Sequence, residues 1–363
     1  MSKALLSASY RQKLRELSRL GVDVTAVVPN RWKEGGRLQE LEPGTDSTYR
    51  IIVADVRFTG HFHAHYYPDL GRVMREERPD VVHLDEEPYN LATFLGVRAA
   101  CRAGMPSLFF TWQNINRRYP FPVRIMEHYV YRHAAHALAG SEDAKRVLQE
   151  KRYPSGITVV PQFGVDPDMF RPKASTLRNF TVGFLNRLVE AKGPMIALSA
   201  LAALPSDVRM CMVGDGPLRG DIESAIRATR LENRVALRAR IPSTEMPDLL
   251  RSLSVVVLPS LTTGNWKEQF GRVLIEAMAC GVPVIGSDSG EIPNVIGDAG
   301  LIVPEGDAAA LADAIRTVQT DVALRTSLSR RGRERVLQNF THAHVAEQTR
   351  QAYAETLLKW KTG

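Results

Sequence analysis

The stretch 263–306, TGNWKEQFGRVLIEAMACGVPVIGSDSGEIPNVIGDAGLIVPEG, constrains the fold more than any other part of this 363-residue chain. It reads as a loop, a short helix, a strand and a Gly-rich turn in succession. Val273, Leu274, Ala277 and Met278 recur at helical spacing, which predicts a helix starting near Gly271. Gly281 closes that helix and Pro283 confirms the stop. Val282 to Ile285 is a short apolar run with β-branched residues, the pattern of a buried strand. Glu268 falls in the loop, and Glu276 falls inside the helix eight positions later.

The chemistry this arrangement suggests is anion handling. A helix that begins at Gly271 presents free backbone N–H groups, a natural seat for a phosphate. A glycine there lets backbone approach a ligand closely. A carboxylate in the preceding loop repels a phosphate but accepts hydrogen bonds from hydroxyls beside it. Phosphate and hydroxyls together describe a nucleotide sugar. The competing reading is plain: Glu268 and Glu276 are solvated surface charges, as most glutamates are.

The same stretch resembles the signature of glycosyltransferase family 4: Glu, seven residues, Glu, then Ala-Met-Ala-Cys-Gly-x-Pro-Val. The match runs without a gap from Trp266 to about Gly306. The resemblance implies an α/β chain of the GT-B type, with two Rossmann-like domains facing each other across a cleft. It implies that Glu268 contacts donor-sugar hydroxyls and Glu276 holds the ribose. Donor contacts extend by resemblance to Phe270 and to backbone at Gly271, Arg272, Val273 and Leu274. Most relatives carry Pro after the first Glu, where this chain has Gln269.

Further upstream, NRLVEAKGP follows the predicted strand Phe180 to Leu185. Relatives read Gly-Arg-Leu, three residues, Lys-Gly, so Arg187 and Lys192 match while Asn186 replaces the Gly. Two cations in that turn can neutralise a diphosphate leaving group, Arg with a planar fork and Lys as a point charge. Arg209 to Val213 and Val235 to Arg240 are further strands. Relatives place the nucleobase against backbone near Arg240 and Ile241. The catalytic set implied is Glu268, Arg187 and Lys192.

Composition adds limits. At about 150 residues per domain the chain holds two. It is 44% hydrophobic and 24% charged, ordinary for a globular protein. No apolar run is long enough to cross a bilayer, and no N-terminal segment reads as a signal peptide. Cys101, Cys211 and Cys280 have neither paired nor metal-like spacing, which fits a reducing compartment. A cytoplasmic protein is expected, with its excess positive charge read as a solvated surface or, alternatively, as a peripheral contact at the inner face of the membrane. Net charge is +7. That allows contact with an anionic membrane surface, while no basic helix or motif points to nucleic acid.

In chain order, residues 4–20 predict a helix with Leu6, Tyr10, Leu14 and Leu17 as its apolar stripe. A domain of this kind normally opens with a strand before that helix. Met1 to Lys3 are too few for one, so the first strand is expected to be missing. Val22 to Val28 and Arg50 to Val56 are the next strands. His61, His63 and His65 alternate, and a strand would put them on one face. A metal site, an acceptor contact through His63, and a structural role all remain open for them, and the fold's chemistry requires no metal.

PDVVHL is a strand leading into DEEPYN. Ligands bind beyond the carboxyl ends of parallel strands, so Glu86 and Glu87 are acceptor-side candidates. Asn90 is a plausible cap for the following helix. The strand SLFFTW is followed by Gln113, where many relatives carry a His, and Asn114 adds a second amide. Amides hydrogen-bond sugar hydroxyls without proton transfer. Arg117, Arg118, Tyr119, Phe121 and Arg124 mix cations with aromatics, which suits a lipid headgroup surface, an anionic acceptor or an exposed turn. Residues 122–135 predict a helix, and Ser141 caps the one after.

The domains expected are 1–162 on the acceptor side, a linker at 163–178, a donor domain at 179–340, and a last helix within 341–363 returning to the first domain. The arginines at 325, 330, 331, 333 and 335 read as a solvated helix face. The function implied by the resemblance is transfer of a hexosyl-type unit from a nucleotide diphosphate sugar to a carbohydrate or glycolipid hydroxyl. Retention of anomeric configuration is implied, with no metal and no cofactor beyond the donor itself. Bacterial polysaccharide or glycolipid assembly is the expected setting. An epimerase or phosphorylase of the same fold, or a catalytically silent nucleotide-sugar-binding protein, are the alternatives.

Overall fold

A computed structural model of the chain describes residues 1–34, 37–44, 46–173 and 179–362. Residues 174–178 of the expected linker lie outside them. The chain divides into two compact units, Met1–Gly164 with His342–Gly363, and Val165–Thr341.

The first unit begins with two 3-10 turns, Ala4–Leu6 and Ala8–Arg11, followed by α1 (Gln12–Arg19). The expected continuous helix is interrupted because Ser7 is extended, with φ −80 and ψ 130. Then come β1 (Thr25–Pro29), β2 (Arg31–Glu34), β3 (Arg37–Glu40), β4 (Arg50–Ala54), α2 (Leu70–Glu77), β5 (Val82–Leu84), α3 (Leu91–Arg102), β6 (Ser107–Thr111), α4 (Val123–His133), β7 (His136–Ala139), α5 (Glu142–Glu150) and β8 (Gly156–Val159). β1 pairs with β4, and β5 to β8 form a parallel sheet in sequence order.

The place of a first strand is not empty. The Ser2 N–H donates to the Val27 carbonyl of β1 at 3.1 Å. On the other side the Met1 amino group donates to the His83 carbonyl of β5 at 2.7 Å, and the Asp85 N–H donates to the Met1 carbonyl at 2.9 Å. Met1 and Ser2 thus bridge β1 and β5 as a central strand would.

The histidine run departs from its expected strand. Residues 62–64 lie in turns, His61 and His63 are exposed and His65 is buried, so the three do not share a face. Among the described residues no group of three or more His, Cys, Asp or Glu could hold a metal ion. Asn90 occupies the cap position of α3 without a side-chain cap bond, because its amide is committed to Glu86 and His63. Ser141 does cap α5, accepting from the Ala144 N–H at 3.1 Å.

The second unit contains β9 (Thr181–Leu185), α6 (Pro194–Ala202), β10 (Arg209–Val213), α7 (Arg219–Ala228), β11 (Val235–Arg238), α8 (Met246–Arg251), β12 (Val255–Leu258), α9 (Arg272–Ala279), β13 (Val284–Ser287), α10 (Ile292–Ile296), β14 (Leu301–Val303), α11 (Ala308–Thr320) and α12 (Val322–Asn339). Its six strands are all parallel, in the order β11-β10-β9-β12-β13-β14. Both faces are covered. On β12, Val256 and Leu258 join one core cluster while Val255 and Val257 join the other. That two-sided burial is why these strands read as unbroken apolar runs rather than alternating ones. The last helix, α13 (His342–Thr362), belongs to the first unit, where Val345 and Ala352 pack with Leu108, Phe110 and Leu138. No helix among the described residues is long and apolar enough to cross a membrane.

The α12 arginines do not form a solvated face. Arg333 donates to the Phe170, Ala279 and Pro167 carbonyls at 2.6, 2.8 and 3.0 Å. Arg335 reaches the Asn294 and Val295 carbonyls, and Arg325 reaches those of Val318 and Gln319. These three side chains serve the C-terminal ends of α9, α10 and α11, where carbonyls lack helical partners and a cation is favoured. Arg330 and Arg331 remain at the surface, paired with Glu334 and Asp298. We therefore predict that Arg333→Ala lowers unfolding free energy by about 2–4 kcal/mol. Arg330→Ala should change it by less than about 0.5 kcal/mol. Chemical denaturation of both variants separates a clamp from a surface charge.

Candidate functional site

In the second unit the strand order reverses between β9 and β12, the switch point at which open α/β sheets bind ligands beyond their carboxyl ends. The turn after β9 carries Asn186, Arg187 and Lys192. The loop after β12 carries Ser260, Trp266 and Glu268. Topology alone brings these two segments side by side.

Their side chains meet in a short buried ion pair. Lys192 Nζ lies 2.5 Å from Glu268 Oε2, with side-chain exposures of 12% and 7%. The same oxygen accepts from the Ser260 hydroxyl at 2.8 Å. The ammonium also stands over the Trp266 ring, 4.7 Å from its centroid. Backbone bonds fix the loop further: the Leu261 N–H donates to the Ala191 carbonyl at 2.9 Å, and the Glu291 N–H to the Glu268 carbonyl at 3.1 Å. A Cβ on Gly290 would sit 2.1 Å from that Glu268 carbonyl, so only glycine allows the approach. Arg187 is exposed at the rim.

Gly271 occupies the cap of α9 at φ +79, a left-handed conformation suited to glycine. The first N–H groups of α9 have no carbonyl one turn earlier within the helix. The side chains of Val273 and Leu274 are buried in the core, so only their backbone can face a ligand. Glu276 is also buried, its Oε1 2.8 Å from Arg272 Nε. Burial raises its carboxyl, and Arg272 pulls against that rise. Phe270 packs on the core and on Phe340, ring centroids 5.7 Å apart. Arg240 and Ile241 follow β11 at the sheet edge; Arg240 is exposed and Ile241 packs against the core.

The acceptor-side candidates all lie in the first unit, in two linked networks. Glu86 is buried. Its Oε2 meets the Lys3 ammonium and accepts from the Asn90 amide at 3.3 Å, while His65 Nε2 stands 3.5 Å from Oε1. Burial pushes this carboxyl up, but the Lys3 charge and His65 outweigh it and hold it at about 2. His63 is exposed and joins the network through Asn90, 3.1 Å away. Glu87 accepts from the Thr111 hydroxyl at 2.6 Å and the Trp112 N–H at 2.8 Å. Here burial wins and the carboxyl is pushed up to about 7. Gln113 and Asn114 are both buried. The Gln113 amide is already committed, donating to Tyr119 at 3.3 Å and accepting from Lys151 at 3.2 Å.

Sequence reasoning passed over Ser260, Trp266 and Gly290. Trp266 lay inside the quoted motif, two residues before Glu268, and a ring at that spacing was the available signal. Nothing in the sequence marked Gly290 apart from other turn glycines.

Against this geometry the comparisons with known proteins are consistent. Residues 166–335 match the family described as Glycosyl transferases group 1, and residues 7–162 match the Glycosyl transferase 4-like domain. Each of the two units thus matches a glycosyltransferase domain, and the fold is of the α/β GT-B type. It is 30% identical to a 2-deoxystreptamine glucosyltransferase of Streptomyces kanamyceticus, over 52% of this chain and 52% of that one. It is 34% identical to an N-acetyl-alpha-D-glucosaminyl L-malate synthase of Bacillus anthracis, over 43% and 40%. The chain thus spans about half the length of the curated relatives it matches. Among solved structures, Anabaena HepE in complex with UDP and glucose superposes with a TM-score of 0.72 at 19% identity, covering 96% of each chain. Sucrose-phosphate synthase of Thermosynechococcus elongatus also gives 0.72, at 21% identity, over 95% and 91%.

Two tests follow from the geometry. In a double-mutant cycle, Lys192→Ala and Glu268→Ala should show a coupling of about 1–3 kcal/mol in unfolding free energy, because either single change strands a buried charge. Additive effects would mean that the pair is not formed. The second test is pH dependence. Glu87 holds its proton more tightly in the folded state, so stability should fall as pH rises from 4.5 toward about 7. Glu86 acts in a separate window, losing its contribution as pH falls from 4.5 toward about 2. Thermal melts of Glu87→Gln should lack the upper slope and keep the lower one.

Proposed function

We propose that the chain is a glycosyltransferase that moves a hexosyl unit from a nucleotide diphosphate sugar to an acceptor hydroxyl with retention at the anomeric carbon. The observation that carries this is the Lys192–Glu268 pair at the β9/β12 switch point, beside the N-terminus of α9 and Arg187. A ligand with hydroxyls and a diphosphate offers a partner to each of the two charges at once. A simple anion would offer a partner to Lys192 alone.

In the proposed step the bond between the anomeric carbon and the diphosphate oxygen breaks, and a bond from the acceptor oxygen forms on the same face. The acceptor proton passes to the departing phosphate oxygen. Arg187, Lys192 and the first-turn amides of α9 stabilise the charge growing on the leaving diphosphate. Glu268 orients the donor sugar and Glu276 the ribose, with the base near the backbone of Arg240 and Ile241. These cations suffice for the leaving group, so the reaction is proposed to need no metal and no cofactor beyond the donor. Gln113, Asn114, Glu86, Glu87 and His63 are assigned to the acceptor side. The acceptor is a carbohydrate or glycolipid, in bacterial polysaccharide or glycolipid assembly at the cytoplasmic face of the membrane.

UDP-glucose is the first donor to test, since a structure of HepE with that ligand shares the fold. Donor turnover should be measured with EDTA present. Arg187→Ala and Lys192→Ala are each expected to lower turnover by about a hundredfold or more. Near-normal rates in both variants would remove the phosphate assignment.

A further inference from the structure

The segment from Ile115 to His133 presents a surface that the donor and acceptor assignments do not use. Phe121 is 75% exposed and Ile125 is 56% exposed, both at the start of α4. Arg118, Arg124, His128 and Arg132 are exposed around them. Arg124, His128 and Arg132 recur every four residues, and Ile125 lies beside them, so they share one outward face of α4. The opposite face is anchored by the buried residues Glu127, Val130 and Tyr131.

Arginine dominates the charge of this segment: Glu127 is the only carboxylate between Ile115 and His133 and Lys151 neutralises it at 2.5 Å, while Glu150 reaches the segment at Asn116, accepting from its amide at 2.8 Å. Among the described residues Arg118, Arg124 and Arg132 have no carboxylate within ion-pair distance. Two bulky apolar side chains in water, ringed by unneutralised arginines, are an unfavourable way to begin a helix unless something covers them.

We propose that this face docks on an anionic lipid bilayer, with Phe121 and Ile125 entering the boundary between headgroups and acyl chains and the arginines meeting lipid phosphates. The apolar pair selects a bilayer over a nucleic acid. Single strands are bound by stacking bases on successive rings, and here the second apolar residue is an aliphatic Ile with no stacking face. The surface directly follows the loop that begins at Gln113 and Asn114. Resting on the transferase reading, docking would carry that loop to the bilayer, and the acceptor would then be lipid-linked.

The test is co-sedimentation of the full chain with sucrose-loaded vesicles of phosphatidylcholine, alone or with roughly one-third phosphatidylglycerol. At low salt, partition onto the anionic vesicles should exceed that onto phosphatidylcholine by on the order of a hundredfold, from three arginines at about fivefold each. It should weaken as salt is added. The triple variant Arg118→Glu, Arg124→Glu, Arg132→Glu should fall to the phosphatidylcholine level. The double variant Phe121→Ser, Ile125→Ser keeps the charge and should lose about tenfold. All these side chains are exposed, so both variants should melt with the parent. Equal binding to the two vesicle types, or wild-type binding by the triple variant, would overturn the proposal. Full binding by the apolar double variant would mark a general anion-binding face and overturn it too. So would tight binding to polyuridylate without binding to vesicles. None of these readouts needs donor turnover, so this inference and the transferase assignment fail separately.

Discussion

The second unit depends on one buried contact, the Lys192 ammonium against the Glu268 carboxylate. Neither charge can be left alone there, because removing a charge from water costs several kcal/mol unless it is paired. The pair ties the turn after β9 to the loop after β12, and Ser260, Ala191 and Glu291 hold the same loop in register. The form of the site follows from that requirement. Gly290 must be a glycine because the Glu268 carbonyl lies against it, and the Trp266 ring stands over the ammonium. Any ligand entering the site has to replace each half of the pair with something equally good. The nucleotide-sugar reading rests on that condition more than on the presence of any single residue.

The first unit solves a different problem with adjacent carboxylates. Glu86 and Glu87 are neighbours in sequence, yet one is held near 2 and the other near 7. The difference is environmental. Glu86 is in contact with Lys3 and His65, while at Glu87 burial outweighs the Thr111 hydroxyl, the Trp112 N–H and the more distant Lys3 charge. Two such groups side by side stay chemically distinct across the physiological range. Met1 and Ser2 help set this up, since they hold β1 and β5 at one strand's spacing and place Lys3 over Glu86.

The parts of this protein legible in its sequence are those set by local rules. Gly271, the apolar spacing through Met278, and Gly281 with Pro283 mark α9 and its flanks within a residue or two. The strands of the second sheet announce themselves as unbroken apolar runs because both faces are covered. What the sequence hid depends on distant partners. Five arginines on α12 look alike on paper, but three of them meet helix ends contributed by α9, α10 and α11. The alternating histidines suggested a strand, while the chain turns at Phe62 and sends only His65 inward. Asn90 sits where a cap belongs, but Glu86 and His63 claim its side chain. In the candidate site, Arg187, Lys192, Glu268 and Glu276 were visible through the family motif. The pairing of Lys192 with Glu268 was not, because residues 76 apart meet only through the strand order.

The most direct test of the central claim is amide hydrogen exchange of the full chain with and without saturating UDP-glucose. The account predicts that protection rises at 187–193 and at the first turn of α9, 271–275, where backbone N–H groups would meet the diphosphate and sugar. If the ligand binds, as judged by calorimetry on the same sample, and both segments exchange as before, the switch point between β9 and β12 is not the donor site.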